Sequence, residues 1–266
     1  MADLQFSTGL SRIITVVGYH HILMIFIALA IILLSLLLAG CSSSSPQIPS
    51  IFLISLYYTD YTPVQNGAQA NPQIAGTIAG LVNDAQLEVR VGYFGICIQP
   101  NRGSFTCSQN ASALAGFLNY DEDPLNLVWV ASTFKDAVVF PYLIIVALIL
   151  AFLCFILLIT FPRWHEVEAD GDDVEVLPIP SRPVSQVALA LIFVASVFIL
   201  VSVLWQHTAS VAASSIAQDL GNGSVKSGIG TSAMILGWFG FAFLVVVMIG
   251  LLFMVLSIPL VARITD

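Results

Sequence analysis

The side chains here that could carry chemistry are few, and most are carboxylates or thiols. Asp121, Glu122 and Asp123 stand in a row before Pro124, with Asp136 further along. Hard oxygen donors at such density suit calcium, by direct coordination or by raising the local cation concentration. The simpler reading is a solvated turn. A second acidic run, Glu166-Val-Glu168 and then Asp170-Gly-Asp172-Asp173, lacks the Asp-x-Asp-x-Asp-Gly spacing of an EF-hand. With Pro178, Pro180 and Pro183 after it, this run reads as a flexible, solvated linker. The four histidines, His20, His21, His165 and His207, make no His-x-x-x-His pair, and neither Cys-x-x-Cys nor a glycine-rich phosphate loop occurs. The long apolar runs hold no carboxylate of the kind that marks an ion path. The expectation is a protein that is not an enzyme and needs no cofactor, calcium at the Asp121, Glu122 and Asp123 cluster being the one ion its residues suggest.

Four cysteines are present. Cys97 and Cys107 enclose Pro100, Asn101 and Gly103, which turn the chain, so in an oxidising compartment they read as a disulfide-closed hairpin. A loop of this size gains about 3 kcal/mol from its staple in the chain-entropy model. Cys154 lies in an apolar run and reads as a small apolar side chain. For Cys41 three fates stay open: a free thiol, a lipidated one, or an alternative partner for either loop cysteine.

The elements that must position these residues are set by the solvent the chain is built for. Of 266 residues, 58% are hydrophobic and 9% charged, against about 25% charged in a soluble domain. The apolar residues gather into runs at 13–40, 137–160, 187–205 and 234–255. Each is long enough for the roughly 20 helical residues that cross a bilayer, and unpaired backbone in lipid is too costly for anything but a helix. Leu38-Ala39-Gly40-Cys41 before a row of serines resembles a bacterial lipoprotein cleavage site. The long stretch before it, holding only Arg12, does not fit a short positive leader, so the helix is expected to stay.

Arg12, Arg163, Arg182 and Arg263 flank the runs on one side, and Lys135 and Lys226 on the other. The positive-inside rule then places both termini in the cytoplasm. Two glycosylation acceptors, Asn110-Ala-Ser112 and Asn222-Gly-Ser224, fall on the opposite side, as they must to be used. The expected plan is a cytoplasmic N-terminus (1–19), a first span (20–40), a large extracellular loop (41–136) and a second span (137–161). An acidic cytoplasmic connector (162–186), a third span (187–206), a second loop (207–231), a fourth span (232–258) and a cytoplasmic tail (259–266) complete it. Within the large loop, 51–59 and 86–98 are strand candidates, and 72–81 is a short helix or plain loop. The net charge of −8, with eight Lys and Arg in all, argues against nucleic acid as a partner.

Gly92-Tyr93-Phe94-Gly95-Ile96-Cys97, followed by Cys107 between the first two of four spans, resembles the claudin-like signature of glycine, two apolar or aromatic residues, two spacers and cysteine, then a second cysteine. With Gly95 two places before Cys97, the chain is more similar to the fungal mating-induced family of calcium regulator and membrane fusion proteins. Claudins proper carry Leu-Trp where Tyr93-Phe94 stands, a loop tryptophan with no counterpart in 51–91, and a PDZ-binding tail where this chain has Arg263-Ile-Thr-Asp266. The resemblance implies an all-α membrane fold, a claudin-like four-helix transmembrane bundle with a small disulfide-stapled extracellular β-sheet. It also implies a plasma-membrane regulator of calcium influx and cell–cell fusion, working in the bilayer with a calcium-channel subunit or as a homo-oligomer. The alternative is a claudin-like adhesion or scaffold protein without a calcium role. Tyr93 and Phe94, read as strand neighbours, would point to opposite faces of a sheet.

Overall fold

The computed structural model describes residues 19–60, 72–161, 165–169, 172–176 and 182–265. Arg12, Arg163, Asp170, Pro178, Pro180 and Asp266, invoked above, lie outside them. Among the described residues four helices are long and apolar enough to cross a membrane, the plan of a multi-pass membrane protein. They are α1 (Tyr19–Ala39), α5 (Tyr142–Ile159), α6 (Arg182–Leu220) and α7 (Thr231–Thr265).

Two boundaries and one connector differ from expectation. The second apolar run does not begin a continuous helix at Ala137, because α4 (Leu127–Val138) ends at an extended Val139 and α5 starts only at Tyr142. Pro141 lacks an amide hydrogen and holds Phe140 out of the helical region, so the break falls where the sequence forbids continuation. The third helix does not stop at 206 but runs 39 residues to Leu220, about 58 Å at 1.5 Å per residue, nearly twice a hydrocarbon core of about 30 Å. Most of the supposed second loop is therefore helix. The acidic connector, expected as a linker, contains an antiparallel pair, β5 (His165–Ala169) with β6 (Asp172–Val176), whose register sets Glu166 opposite Glu175 and Glu168 opposite Asp173.

Contacts divide the chain into two units, one of segments up to Ile32, Ile144–Ile199 and from Phe239 on, the other of Leu33–Leu143 and Leu200–Trp238. Apart from the β5–β6 pair, the described residues of the first unit are mainly helical. Small side chains are buried there, with Ala30, Ala147, Ala151, Ala188 and Ala195 almost fully covered, as close helix contact in a bilayer requires. Ile25, Ile149, Phe152, Phe193 and Phe253 are each more than half exposed, the distribution of a surface whose solvent is lipid.

The second unit holds a five-stranded antiparallel sheet in the order β4-β3-β2-β1-β7. Its strands are β1 (Ile54–Tyr58), β2 (Leu87–Val91), β3 (Ile96–Pro100), β4 (Thr106–Ser108) and β7 (Val225–Ile229). Ile54, Leu56, Val89, Val91, Ile96 and Ile98 are buried in one core with Leu114 of α3 (Ala111–Ala115) and Leu127, Val128 and Ala131 of α4. Period-2 alternation gives the sheet one apolar face, and α4 lies on it. The 72–81 segment is helical, α2 (Pro72–Val82), and adds Val82 to the same core. The 86–98 candidate is two strands rather than one, because 92–95 is a turn.

Candidate functional site

The family signature is a turn between β2 and β3 that rests on the chain just after α1. Gly92 closes it by donating its N–H to the Gly95 carbonyl at 2.9 Å. A Cβ on Gly92 would run into the Gly40 carbonyl, and one on Gly95 into the carbonyl of Cys41. Neither position has room for a side chain, so the spacing of two glycines reflects backbone-on-backbone packing. Tyr93 and Phe94 are consequently not strand neighbours on opposite sheet faces, as their sequence context implied. Tyr93 is buried and donates its hydroxyl to Oε1 of Gln206 at 3.0 Å, while Phe94 is 37% exposed. Gln206 in turn offers Nε2 to the Met234 sulfur at 3.6 Å. Burial pushes the Tyr93 phenol pKa upward, so it stays a donor at any physiological pH.

Cys97 and Cys107 are directly paired across β3 and β4 and joined by a disulfide. The turn that brings them together has Asn101 and Arg102 at positive φ, with the Gly103 N–H donating to the Pro100 carbonyl at 2.9 Å, the arrangement of a type I′ turn. Because Cys97 and Cys107 pair with each other, Cys41 is not the partner of either loop cysteine in this fold. It is a buried free thiol whose sulfur lies 3.6 Å from the Ile51 carbonyl, and burial pushes its pKa up to about 12. Arg90, opposite Cys97 in register, is held by Glu88 at 2.7 Å and by the Pro49 carbonyl, with its guanidinium 4.8 Å from the Phe52 ring centre and 4.1 Å from that of Phe105. This clamp closes the sheet face that bears the disulfide.

Within the carboxylate row, Asp123 and Glu122 take separate partners. Asp123 accepts from the Tyr58 hydroxyl at 2.7 Å and from the backbone N–H groups of Leu127 and Val128 at 2.7 and 3.1 Å. It caps α4, and its charge adds to burial in raising the Tyr58 pKa. Glu122 accepts from the Asn119 N–H at 2.9 Å and from Asn101 at 3.1 Å. Asp121 is exposed. Among the described residues no group of three His, Cys, Asp or Glu side chains is placed to hold a metal ion. Two of the three carboxylates thus serve the loop's own backbone, a use that a row of charges cannot reveal. Asn110, an exposed residue, caps α3 by accepting from the Ser112 N–H at 2.9 Å. Asn222 and Gly223 both have positive φ in the turn leading to β7, and Ser224 is buried.

Sequence reasoning missed Gln206, which read as the end of a span, and β7, which read as loop. The strand had a signal in Asn222-Gly223, a pair that favours the mirror-image turns before a strand. The polar Gln206 at the end of an apolar run had none.

The family described as Ca2+ regulator and membrane fusion protein Fig1 matches residues 75–257. The chain belongs to this family. No individually curated protein matches it. The Fig1 match begins inside α2 and runs through three of the four long helices, so it includes the signature turn, the disulfide and β7. Calcium regulation and membrane fusion, in the general sense of the Fig1 description, are therefore what the chain is for.

Proposed function

We propose that this Fig1-family protein is a non-catalytic regulator of calcium influx and of cell–cell membrane fusion in fungal mating or hyphal fusion, acting at the plasma membrane with both termini in the cytoplasm. The observation that carries the reading is the family match over 75–257, which takes in four of the five strands of the stapled sheet and three apolar helices. A stapled sheet offers a rigid surface, and a regulator of this kind acts by contact, on a calcium-channel subunit or on copies of itself in a claudin-like bundle.

The exposed Phe117, Tyr120 and Trp129, at 69, 83 and 65%, favour a second reading, a claudin-like adhesion or scaffold protein without a calcium role. Calcium uptake during a fusion-inducing stimulus separates the two. Cells lacking the gene should take up less calcium and fuse less, with both restored by the wild-type chain. Reduced fusion with normal uptake would sink the calcium reading and leave the scaffold. Protease protection of terminal tags, and a glycan on Asn110, test the orientation.

A further inference from the structure

Beside the break in the second apolar run lies a cavity of about 220 Å³. Tyr93, Phe134, Phe140 and Trp205 contribute ring-bearing walls, and Leu143 and Val201 continue the apolar lining. Phe140, Val201 and Trp205 are 49, 48 and 49% exposed, so the cavity is continuous with the surface that the apolar helices present to lipid. Trp205 is itself anchored, its indole N–H donating to the Val138 carbonyl at 2.8 Å.

Two lining residues do not belong in an apolar wall. Ser202 and Ser210 are 4 and 1% exposed, and neither hydroxyl has a hydrogen-bond partner. Helical serines and threonines commonly donate to the carbonyl four residues back, and on this same helix Ser196, Thr208 and Ser215 do so. Ser202 and Ser210 leave that option unused. Gln206, one turn from each, is already engaged by Tyr93 and Met234.

A buried hydroxyl without a partner is costly to keep. No single molecule bridges the two serines, which sit eight residues apart, about 12 Å along a helix, and a water held by one of them would fill little of a cavity whose other walls are apolar. What fits is a ligand apolar through most of its body that carries a hydroxyl able both to donate and to accept. Flat ring walls favour fused rings over a flexible chain, because a rigid body loses less conformational freedom on binding. A cavity of about 150 Å³ takes one benzene ring, so this one takes about two fused rings.

We propose that this cavity binds the hydroxyl-bearing end of a membrane sterol, the hydroxyl pairing with Ser202 or Ser210 while the rest of the molecule stays in the bilayer. The test uses the full chain in vesicles containing a photoactivatable diazirine sterol, with a diazirine-acyl phosphatidylcholine in parallel. Sterol label is expected on peptides covering 134–143 and 201–210, and excess unlabelled sterol should remove it. Labelling should fall about fivefold in the double variant Ser202→Ala/Ser210→Ala, the loss expected for one hydrogen bond, and about tenfold or more in Ala209→Phe, which fills the space. The double variant removes only unpaired hydroxyls and should fold as well as the wild type, so it decides the matter if Ala209→Phe misfolds. The single variants then say which serine is used. Equal sterol labelling of wild type and double variant would overturn the proposal, as would phosphatidylcholine labelling these peptides where the sterol does not.

Discussion

The Tyr93 hydroxyl reaches Oε1 of Gln206 across 3.0 Å in a setting where both side chains are about 95% covered, and so ties the signature turn to α6. Removing the donor leaves a buried acceptor unmet, which costs more than the bond contributes when made. Tyr93→Phe is expected to lower the unfolding free energy by about 1–3 kcal/mol, read from thermal unfolding in detergent. Gln206→Leu in the Tyr93→Phe background should recover part of the loss. Strictly additive losses in the double-mutant cycle would mean that the two residues are not coupled.

Glycines in this chain should divide cleanly by what surrounds them. Gly92→Ala and Gly95→Ala each force a methyl group into the backbone of the chain after α1, and both variants should be retained inside the cell. Gly76 and Gly80, on α2, face open space. Their replacement by Ala should raise stability by about 1 kcal/mol each from helix propensity. Surface biotinylation and melting temperature together check both halves, and normal surface delivery of Gly95→Ala would remove the packing argument.

Cys41 should be inert until the fold opens. With its pKa raised by burial from 9.0 to about 12, the native thiol carries almost no thiolate at neutral pH. Maleimide should modify it only after denaturation. The folded form also holds the proton more tightly than the unfolded one, so this group's stabilisation is complete below about pH 9 and is lost as pH rises from there towards 12. Rapid maleimide modification of the native protein would contradict the buried placement.

Asp121 and Asp123 should behave as opposites despite standing two residues apart. Asp123→Asn weakens a cap that meets two backbone N–H groups and the Tyr58 hydroxyl, at about 1–2 kcal/mol. Asp121→Asn, on an exposed side chain, should leave stability within about 0.5 kcal/mol. Because Asp123 supports the fold, and Glu122→Gln keeps only one of the two oxygens that Glu122 offers to Asn101 and Asn119, a test of calcium attraction by this row uses Asp121→Asn/Glu122→Gln with Glu122→Gln alone as the control for folding. Calcium influx unchanged in that pair, at equal surface level, would leave the row a purely structural turn.

What the sequence by itself determined is what has a local cause. Lipid admits only backbone that satisfies itself, so four apolar runs are four helices wherever they pack. Cys97 and Cys107 are close enough in sequence, with turn residues between, for the hairpin to be read directly. The signature pointed to the family through residue types at fixed spacing. The tertiary structure decided what depends on partners distant in sequence. Val225 pairs with Tyr58 in register, and five residues in a loop leave little periodic trace of such pairing. Asp123 reads as a surface charge until Tyr58 and the start of α4 are brought to it. Tyr93 reads as a strand residue until Gly92 and Gly95 meet the backbone at Gly40 and Cys41. Solvent preference and turn chemistry act residue by residue and can be read in one dimension, whereas steric approach and hydrogen-bond satisfaction are properties of pairs that only the folded chain brings together.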